Sequence, residues 1–138
     1  MRILVTFAVD AEFAPWRKLR SFHKARAVAM DYFSTQIADA QIDVLLTGVR
    51  GKKAWVKIAN AIYDSEIDLC ISSGLAGGLR QEHRLGEVLV AERVLAAPRD
   101  IVVLSEPSLV ESAVSLGAKK VPFFYTADHV ILHSAEKH

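Results

Sequence analysis

Residues suited to chemistry follow four apolar runs, each at the point where a predicted strand ends. Glu12 follows the first run and Gly48 the second, and the third leads into Gly74-Leu75-Ala76-Gly77-Gly78. The fourth run leads to Val130 and Ile131. Three glycines within five residues leave main-chain N–H groups open to close approach by a ligand, although a Gly-Gly turn is also an ordinary connection between strands. The third segment alone therefore leaves both interpretations open.

The elements that must position these residues alternate between strands and helices. Apolar runs predict strands at 3–9, 32–37, 42–47, 67–72, 87–96 and 120–125. Helical spacing predicts three helices, at 11–19, at 51–66 and from Pro107 onward. Asp10 is the predicted N-cap of the first helix and Ser105 that of the third. The second and third strands form a hairpin around Asp39-Ala40. Such alternation indicates a three-layer α/β sheet, in which ligands bind at the carboxyl ends of strands.

Composition limits the classes of function. With 138 residues, 51% of them hydrophobic and 24% charged, the chain fits one globular domain over residues 1–138. The 17 basic residues nearly balance the 16 acidic ones, which argues against a nucleic-acid partner and favours a small molecule. No apolar run reaches the roughly 18 residues of a membrane span and no signal sequence precedes the first strand, so we expect a cytoplasmic protein.

The chain offers little for a metal or a disulfide. Cys70 is the only cysteine, and its apolar surroundings predict a buried structural thiol. His129 and His133 have helical spacing, but the segment is predicted to be extended and supplies no third ligand. We therefore expect no metal site.

The glycine segment and the run after it carry a family resemblance. Gly74-Leu75-Ala76-Gly77-Gly78-Leu79, followed by Gly86-Glu87-Val88-Leu89-Val90, resembles the Gly-x-Ala-Gly-Gly-Leu and Gly-Asp-Ile-Val-Val motifs of the purine nucleoside phosphorylase and nucleosidase family. Thr47-Gly48-Val49-Arg50-Gly51-Lys52 resembles its Thr/Ser-Gly-Ile-Gly-Lys loop, with Arg50 inserted. The family includes methylthioadenosine/S-adenosylhomocysteine nucleosidases and futalosine hydrolases. The apolar Leu75 in the loop and the Thr126-Ala127-Asp128 segment also resemble the hopanoid-associated phosphorylases, a subgroup thought to remove adenine from adenosylhopane.

The resemblance implies a fold and an activity. The fold would be a three-layer αβα sandwich around a mixed twisted sheet, nucleoside phosphorylase-like and incomplete at the C-terminus. The family continues to a ribose-binding Met-Glu pair and an acidic Ser-Asp, whereas this sequence stops at His138. The activity would be cleavage of the N-ribosidic bond of a purine nucleoside. A sheet cut at that point would expose an edge, so we expect a homo-oligomer.

The same resemblance assigns roles to residues. By its position Glu12 would be the catalytic base, although a first-turn glutamate is also favoured simply by the helix dipole. The substrate-binding residues would be Ala8, Val9, Gly48, Leu75, Ala76, Gly77, Val130 and Ile131. No cofactor is implied, with phosphate as an alternative co-substrate.

Two alternatives remain open from the sequence. A carboxylate at Glu12 and an apolar Leu75 disfavour a phosphate dianion, which predicts hydrolysis, while Arg17 or Arg50 could supply the cation that phosphorolysis needs. The absent Met-Glu and Ser-Asp elements equally permit a catalytically inactive nucleoside-binding or structural fragment.

Overall fold

The computed structural model describes residues 1–24, 31–49, 52–63, 65–96, 101–127, 129 and 131, with only the backbone for 52–55. The chain divides into two compact units, Met1–Ala76 and Gly77–His138. A single domain over residues 1–138 stays a prediction.

The first unit is a five-stranded mixed sheet. Its strands are β1 Arg2–Phe7, β2 His23–Lys24, β3 Tyr32–Ile37, β4 Ala40–Leu46 and β5 Leu69–Ser72. Their order is β2-β3-β4-β1-β5, with β1 parallel to β4 and β5, and β3 antiparallel to β4. The first predicted strand is therefore confirmed as a central one.

One helix covers each face of this sheet. Helix α1 spans Asp10–Leu19 and helix α2 spans Lys52–Tyr63. Val5 and Val44 pack in one cluster with Phe13 of α1, while Leu4 packs in a second cluster with Ala61 of α2. Because neighbouring strand residues point to opposite faces, these two clusters lie on opposite sides of the sheet. The predicted three-layer αβα arrangement is confirmed.

A buried carboxylate ties three strands of the sheet together. Asp43 of β4 is fully buried and accepts hydrogen bonds from Arg2 Nε at 2.6 Å, Ser34 Oγ at 2.6 Å and Gln41 Nε2 at 3.2 Å. Burial raises the pKa of this carboxyl, but the hydrogen bonds from Ser34, Arg2 and Gln41 outweigh burial and hold its pKa below the usual value. Asp43 is therefore an anion in the folded chain at neutral pH.

Local boundaries in the first unit differ from the sequence-based expectation. The hairpin turn lies at Ala38-Asp39 rather than Asp39-Ala40, with Ala38 at a φ of 51°. Helix α1 is capped by Val9, so Asp10, the predicted cap, is already its first residue. Cys70, predicted to be buried, is exposed because β5 is the last strand on its side of the five-stranded sheet.

The second unit contains two smaller sheets and one helix. The strands are β6 Leu89–Ala91, β7 Arg93–Ala96, β8 Ile101–Leu104, β9 Lys119–Val121 and β10 Phe124–Thr126, and helix α3 spans Pro107–Ser115. One sheet has the order β10-β7-β8 and the other pairs β6 with β9. Residues 101–104 of β8 are all exposed, and β8 ends its sheet among the described strands.

Three predictions for the second unit are wrong in detail. The single strand predicted over 87–96 is interrupted at Glu92 into β6 and β7, which belong to different sheets. The strand predicted over 120–125 is likewise divided between β9 and β10. Helix α3 is capped by Glu106 rather than Ser105, with Pro107 as its first residue, where the missing N–H costs nothing. No helix in the described ranges is both long and apolar enough to span a membrane.

Candidate functional site

The carboxylate of Glu12 joins the loops that follow β1 and β5. Its Oε2 accepts a hydrogen bond from the backbone N–H of Ala8 at 2.8 Å and a longer one from Val9 at 3.3 Å. Its Oε1 accepts a hydrogen bond from the backbone N–H of Leu75 at 2.9 Å. The side chain of Glu12 thus links the start of its own helix to a residue 63 positions later in the chain.

The position of Glu12 follows from the start of α1. Glu12 is the third residue of the helix, and its side chain reaches back to the N–H of the N-cap Val9, as the glutamate of a capping box does. The side chain of a valine cap has no oxygen that could accept a hydrogen bond from the backbone N–H of Glu12. That N–H instead donates to the carbonyl oxygen of Val9, at an N–O distance of 3.1 Å. A carboxylate has about four acceptor positions, so three N–H donors leave about one for a further partner.

The end of β4 meets the end of β1 beside this carboxylate. The N–H of Thr47 donates to the Phe7 carbonyl and the N–H of Gly48 donates to the Ala8 carbonyl, both at 2.8 Å. Gly48 has a φ of 84°, a conformation that glycine adopts without steric cost. Ala8 therefore connects Gly48 on one side with Glu12 on the other.

Gly74 packs directly against the carboxylate, a contact that the sequence did not predict. A Cβ atom added to Gly74 would lie 2.8 Å from Glu12 Oε1 and 2.9 Å from both Cδ and Oε2. The only signal in the sequence was a glycine just after a predicted strand, which indicates close approach without naming the approaching group.

Apolar side chains at these three strand ends are open to solvent. Val9 is 36% exposed, Val49 68% and Leu75 87%. They follow β1, β4 and β5, in the loops that the hydrogen bonds of Ala8 and Glu12 connect. Each of the three loops therefore carries an exposed apolar side chain.

The remaining predicted site residues divide between the two units. Ala76 is exposed at the end of the first unit, next to Leu75. Gly77 is exposed and Ile131 is half-buried, both in the second unit. Val130 lies outside the described residues. The structure thus brings together Ala8, Val9, Glu12, Gly48 and Leu75 by direct contacts or chain adjacency.

The cation considered for phosphate binding has a partner of its own. Arg17 forms a two-pronged ion pair with Asp10, with Nη1–Oδ1 at 2.8 Å and Nη2–Oδ2 at 3.0 Å. Its guanidinium also lies 5.6 Å from the centroid of the Phe13 ring. Arg50 lies outside the described residues. Within those ranges, no group of three or more His, Cys, Asp or Glu side chains could hold a metal ion.

Glu87, in the second matched motif, makes a separate cluster within the second unit. It accepts from Lys119 Nζ at 3.2 Å, and its other oxygen lies 3.2 Å from His83 Nδ1. Partial burial raises the pKa of the Glu87 carboxyl, but the bonds to Lys119 and His83 outweigh it and lower the pKa. We assign this cluster a structural role, because it fixes the turn at 83–87 to β9.

Similarity to solved structures identifies the fold. No protein-family model matches the chain, and no curated protein sequence matches it significantly. The chain superposes on 5′-methylthioadenosine/S-adenosylhomocysteine nucleosidase from Helicobacter pylori with a TM-score of 0.88 and 16% identity, covering 99% of this chain and 68% of that one. A futalosine hydrolase mutant of the same organism gives a TM-score of 0.84 and 15% identity, with 99% of this chain and 69% of that one covered. A putative methylthioadenosine nucleosidase from Weissella paramesenteroides gives a TM-score of 0.81 and 20% identity, with 99% of this chain and 68% of that one covered.

These similarities define the class of fold. A TM-score above 0.8 over 99% of the chain means that the described α/β architecture is that of the nucleosidases. An identity of 20% or less establishes the fold alone, because one fold hosts many functions. The function has to be argued from the site.

Proposed function

We propose that this chain takes part in the hydrolytic cleavage of the N-ribosidic bond of a purine nucleoside, with Glu12 as the general base. The observation that carries the proposal is the Glu12 carboxylate, which three backbone N–H groups hold at the meeting point of two strand ends. The matched structures, whose names describe nucleosidases and a futalosine hydrolase, support the same class of reaction.

The proposed chemistry needs a base of this kind. Cleavage at C1′ passes through an oxocarbenium-like state, and a water must attack from the face opposite the leaving purine. Glu12 takes a proton from that water as the new C1′–O bond forms. The C1′–N9 bond breaks and its electron pair leaves with the purine, which takes up a proton from solvent, while Glu12 releases the proton that it took from the water to solvent. Fixed N–H donors keep the carboxylate aimed, which is the geometric requirement for this step.

Water is favoured over phosphate as the nucleophile. A carboxylate repels a phosphate dianion, and the side chain of Leu75 offers it no hydrogen bond. Arg17 is already paired with Asp10. Phosphorolysis therefore remains the less favoured route, with Arg50 as the residue that would have to supply the charge.

The proposed substrate is an adenine nucleoside with an apolar 5′ substituent. Val9, Val49 and Leu75 surround the strand ends with exposed apolar surface that such a substituent would bury. Within the first unit, main-chain groups of Gly48 and Ala76 would contact the ribose.

The experiment is a measurement of adenine release by the full chain. 5′-Methylthioadenosine and adenosine are incubated with the native chain, Glu12→Gln and Asp10→Asn, with and without phosphate, and adenine is quantified by chromatography. We expect release by the native chain without phosphate, a loss of about 10²-fold or more in Glu12→Gln, and near-native release by Asp10→Asn. Absence of release from the native chain would refute the enzymatic proposal, and phosphate-dependent release would refute hydrolysis.

A second candidate function is nucleoside binding without turnover. The same three hydrogen bonds are compatible with it, because a carboxylate that joins two loops has a structural role even where no reaction occurs. Calorimetric titration with 5′-methylthioadenosine distinguishes the candidates, since saturable binding without adenine release supports only the second.

A further inference from the structure

We propose that Gly74 is a positioning residue for Glu12: its missing side chain creates the place that the carboxylate occupies. This inference rests on the proposed function for its catalytic consequence, but the structural part stands on the geometry alone. Gly74 and Glu12 both belong to the first unit, and they are separated by 62 positions in sequence.

The contact leaves no room for a methyl group. An added Cβ on Gly74 would lie at 2.8 Å from Oε1 and 2.9 Å from Oε2, closer than real Cβ atoms approach other heavy atoms. Gly74 also has a φ of 151°, which side-chain-bearing residues rarely adopt. An alanine there must move the carboxylate or the backbone.

The carboxylate cannot move without losing its hydrogen bonds. Oε2 is bonded to the N–H groups of Ala8 and Val9, and Oε1 to that of Leu75, the residue next to Gly74. A shift away from position 74 lengthens the Leu75 bond first. The expected result of Gly74→Ala is therefore a displaced Glu12 side chain rather than a simple backbone strain.

The contact distinguishes Gly74 from the other described glycines. An added Cβ at Gly48, Gly77, Gly86 or Gly117 would meet nothing within 4 Å, and one at Gly78 would meet His83 Cβ at an ordinary 3.7 Å. Gly117 shares the positive φ, at 101°, but not the contact. It therefore serves as a control for substitution of a positive-φ glycine that lacks the contact.

The test is a double-mutant cycle on the thermal midpoint of the full chain. The four proteins are the native chain, Gly74→Ala, Glu12→Ala and the double variant, with Gly117→Ala as the control. If the added methyl acts through the carboxylate, Gly74→Ala lowers Tm by at least about 4 °C more in the native background than in the Glu12→Ala background. Equal shifts in both backgrounds would overturn the proposal.

An unfolded Gly74→Ala variant would still leave the question decidable. In that case the thermal midpoint of Glu12→Ala is compared with that of the double variant. We expect these two midpoints to differ by no more than the shift in midpoint that Gly117→Ala causes in the native chain. A double variant that is unfolded while Glu12→Ala remains folded would contradict a role through Glu12.

The rate of adenine release tests the catalytic consequence, because replacing a glycine with a purely structural role would leave that rate unchanged in a folded variant. We expect Gly74→Ala to lower kcat by about 10²-fold with little change in KM, and the double variant to be no slower than Glu12→Ala. Full kcat in a folded Gly74→Ala would overturn the catalytic consequence. If the native chain releases no adenine, the proposed function fails while the midpoint cycle still tests the positioning of Glu12.

Discussion

At the scale of single residues, the proposed function gives Glu12 two tasks that the sequence presents as alternatives. Its place in the first turn of a helix was equally compatible with a catalytic base and with a favourable dipole interaction. The structure adds hydrogen bonds to Ala8, Val9 and Leu75, two of them local and one across 63 residues. The local bonds follow from helix capping, which a sequence can indicate. The bond to Leu75 and the contact with Gly74 depend on strand register, which no local pattern encodes.

Because all three donors are N–H groups, Glu12→Gln should destabilise the chain. A glutamine keeps one acceptor oxygen and turns an NH₂ group toward the remaining N–H donors, so at least one hydrogen bond is replaced by two opposed donors. We expect a loss of about 1–2 kcal/mol in the free energy of unfolding, measured by urea denaturation. Asp10→Asn, on the same helix but in an exposed ion pair, should lose less than about 1 kcal/mol. An unchanged midpoint for Glu12→Gln would show that the side chain does not join the loops in solution.

At the scale of elements, periodicity predicted the first unit better than the second. The run at 3–9 became β1, because a buried strand at the centre of a sheet reads as a continuous apolar run, and the segments at 32–37 and 67–72 became β3 and β5. The boundary between β6 and β7 could not be predicted, since a single residue, Glu92, separates two strands of different sheets without a glycine or proline. The strand β8 was missed because four apolar residues alone do not distinguish a strand from a helix.

The hairpin between β3 and β4 offers a test at this scale. Ala38 occupies a φ of 51°, where its Cβ is unfavourable and glycine is not penalised. We expect Ala38→Gly to raise the free energy of unfolding by about 0.5–1 kcal/mol, measured by urea denaturation. Ala40→Gly, in the buried start of β4, should have the opposite sign because it removes packing and adds chain entropy. Destabilisation by both substitutions would mean that the turn differs in solution.

At the scale of the whole molecule, the network around Asp43 predicts how stability depends on pH. The folded pKa of Asp43 is lowered relative to its usual value, so its contribution is fully present above the unfolded pKa of about 3.9. That contribution is lost as the pH falls below about 4 toward the folded pKa, because the unfolded chain then binds the proton first.

We therefore expect the native chain to lose stability between pH 5 and pH 3 more steeply than Asp43→Asn, because the variant has no carboxylate to protonate at that position. The free energy of unfolding of both proteins is measured by urea denaturation at stepwise pH values. At pH 7 Asp43→Asn should itself be less stable, because Arg2 and Ser34 lose an anionic acceptor. Parallel pH profiles for the two proteins would mean that other carboxylates govern the acid limb.

The exposed strand β8 has a practical consequence for anyone who handles this protein. Ile101-Val102-Val103-Leu104 combines high strand propensity, no charge and an open edge among the described strands. Such a segment is a template for intermolecular backbone pairing, so aggregation at high concentration should begin there. Expression yield and shelf life should then depend on this short stretch.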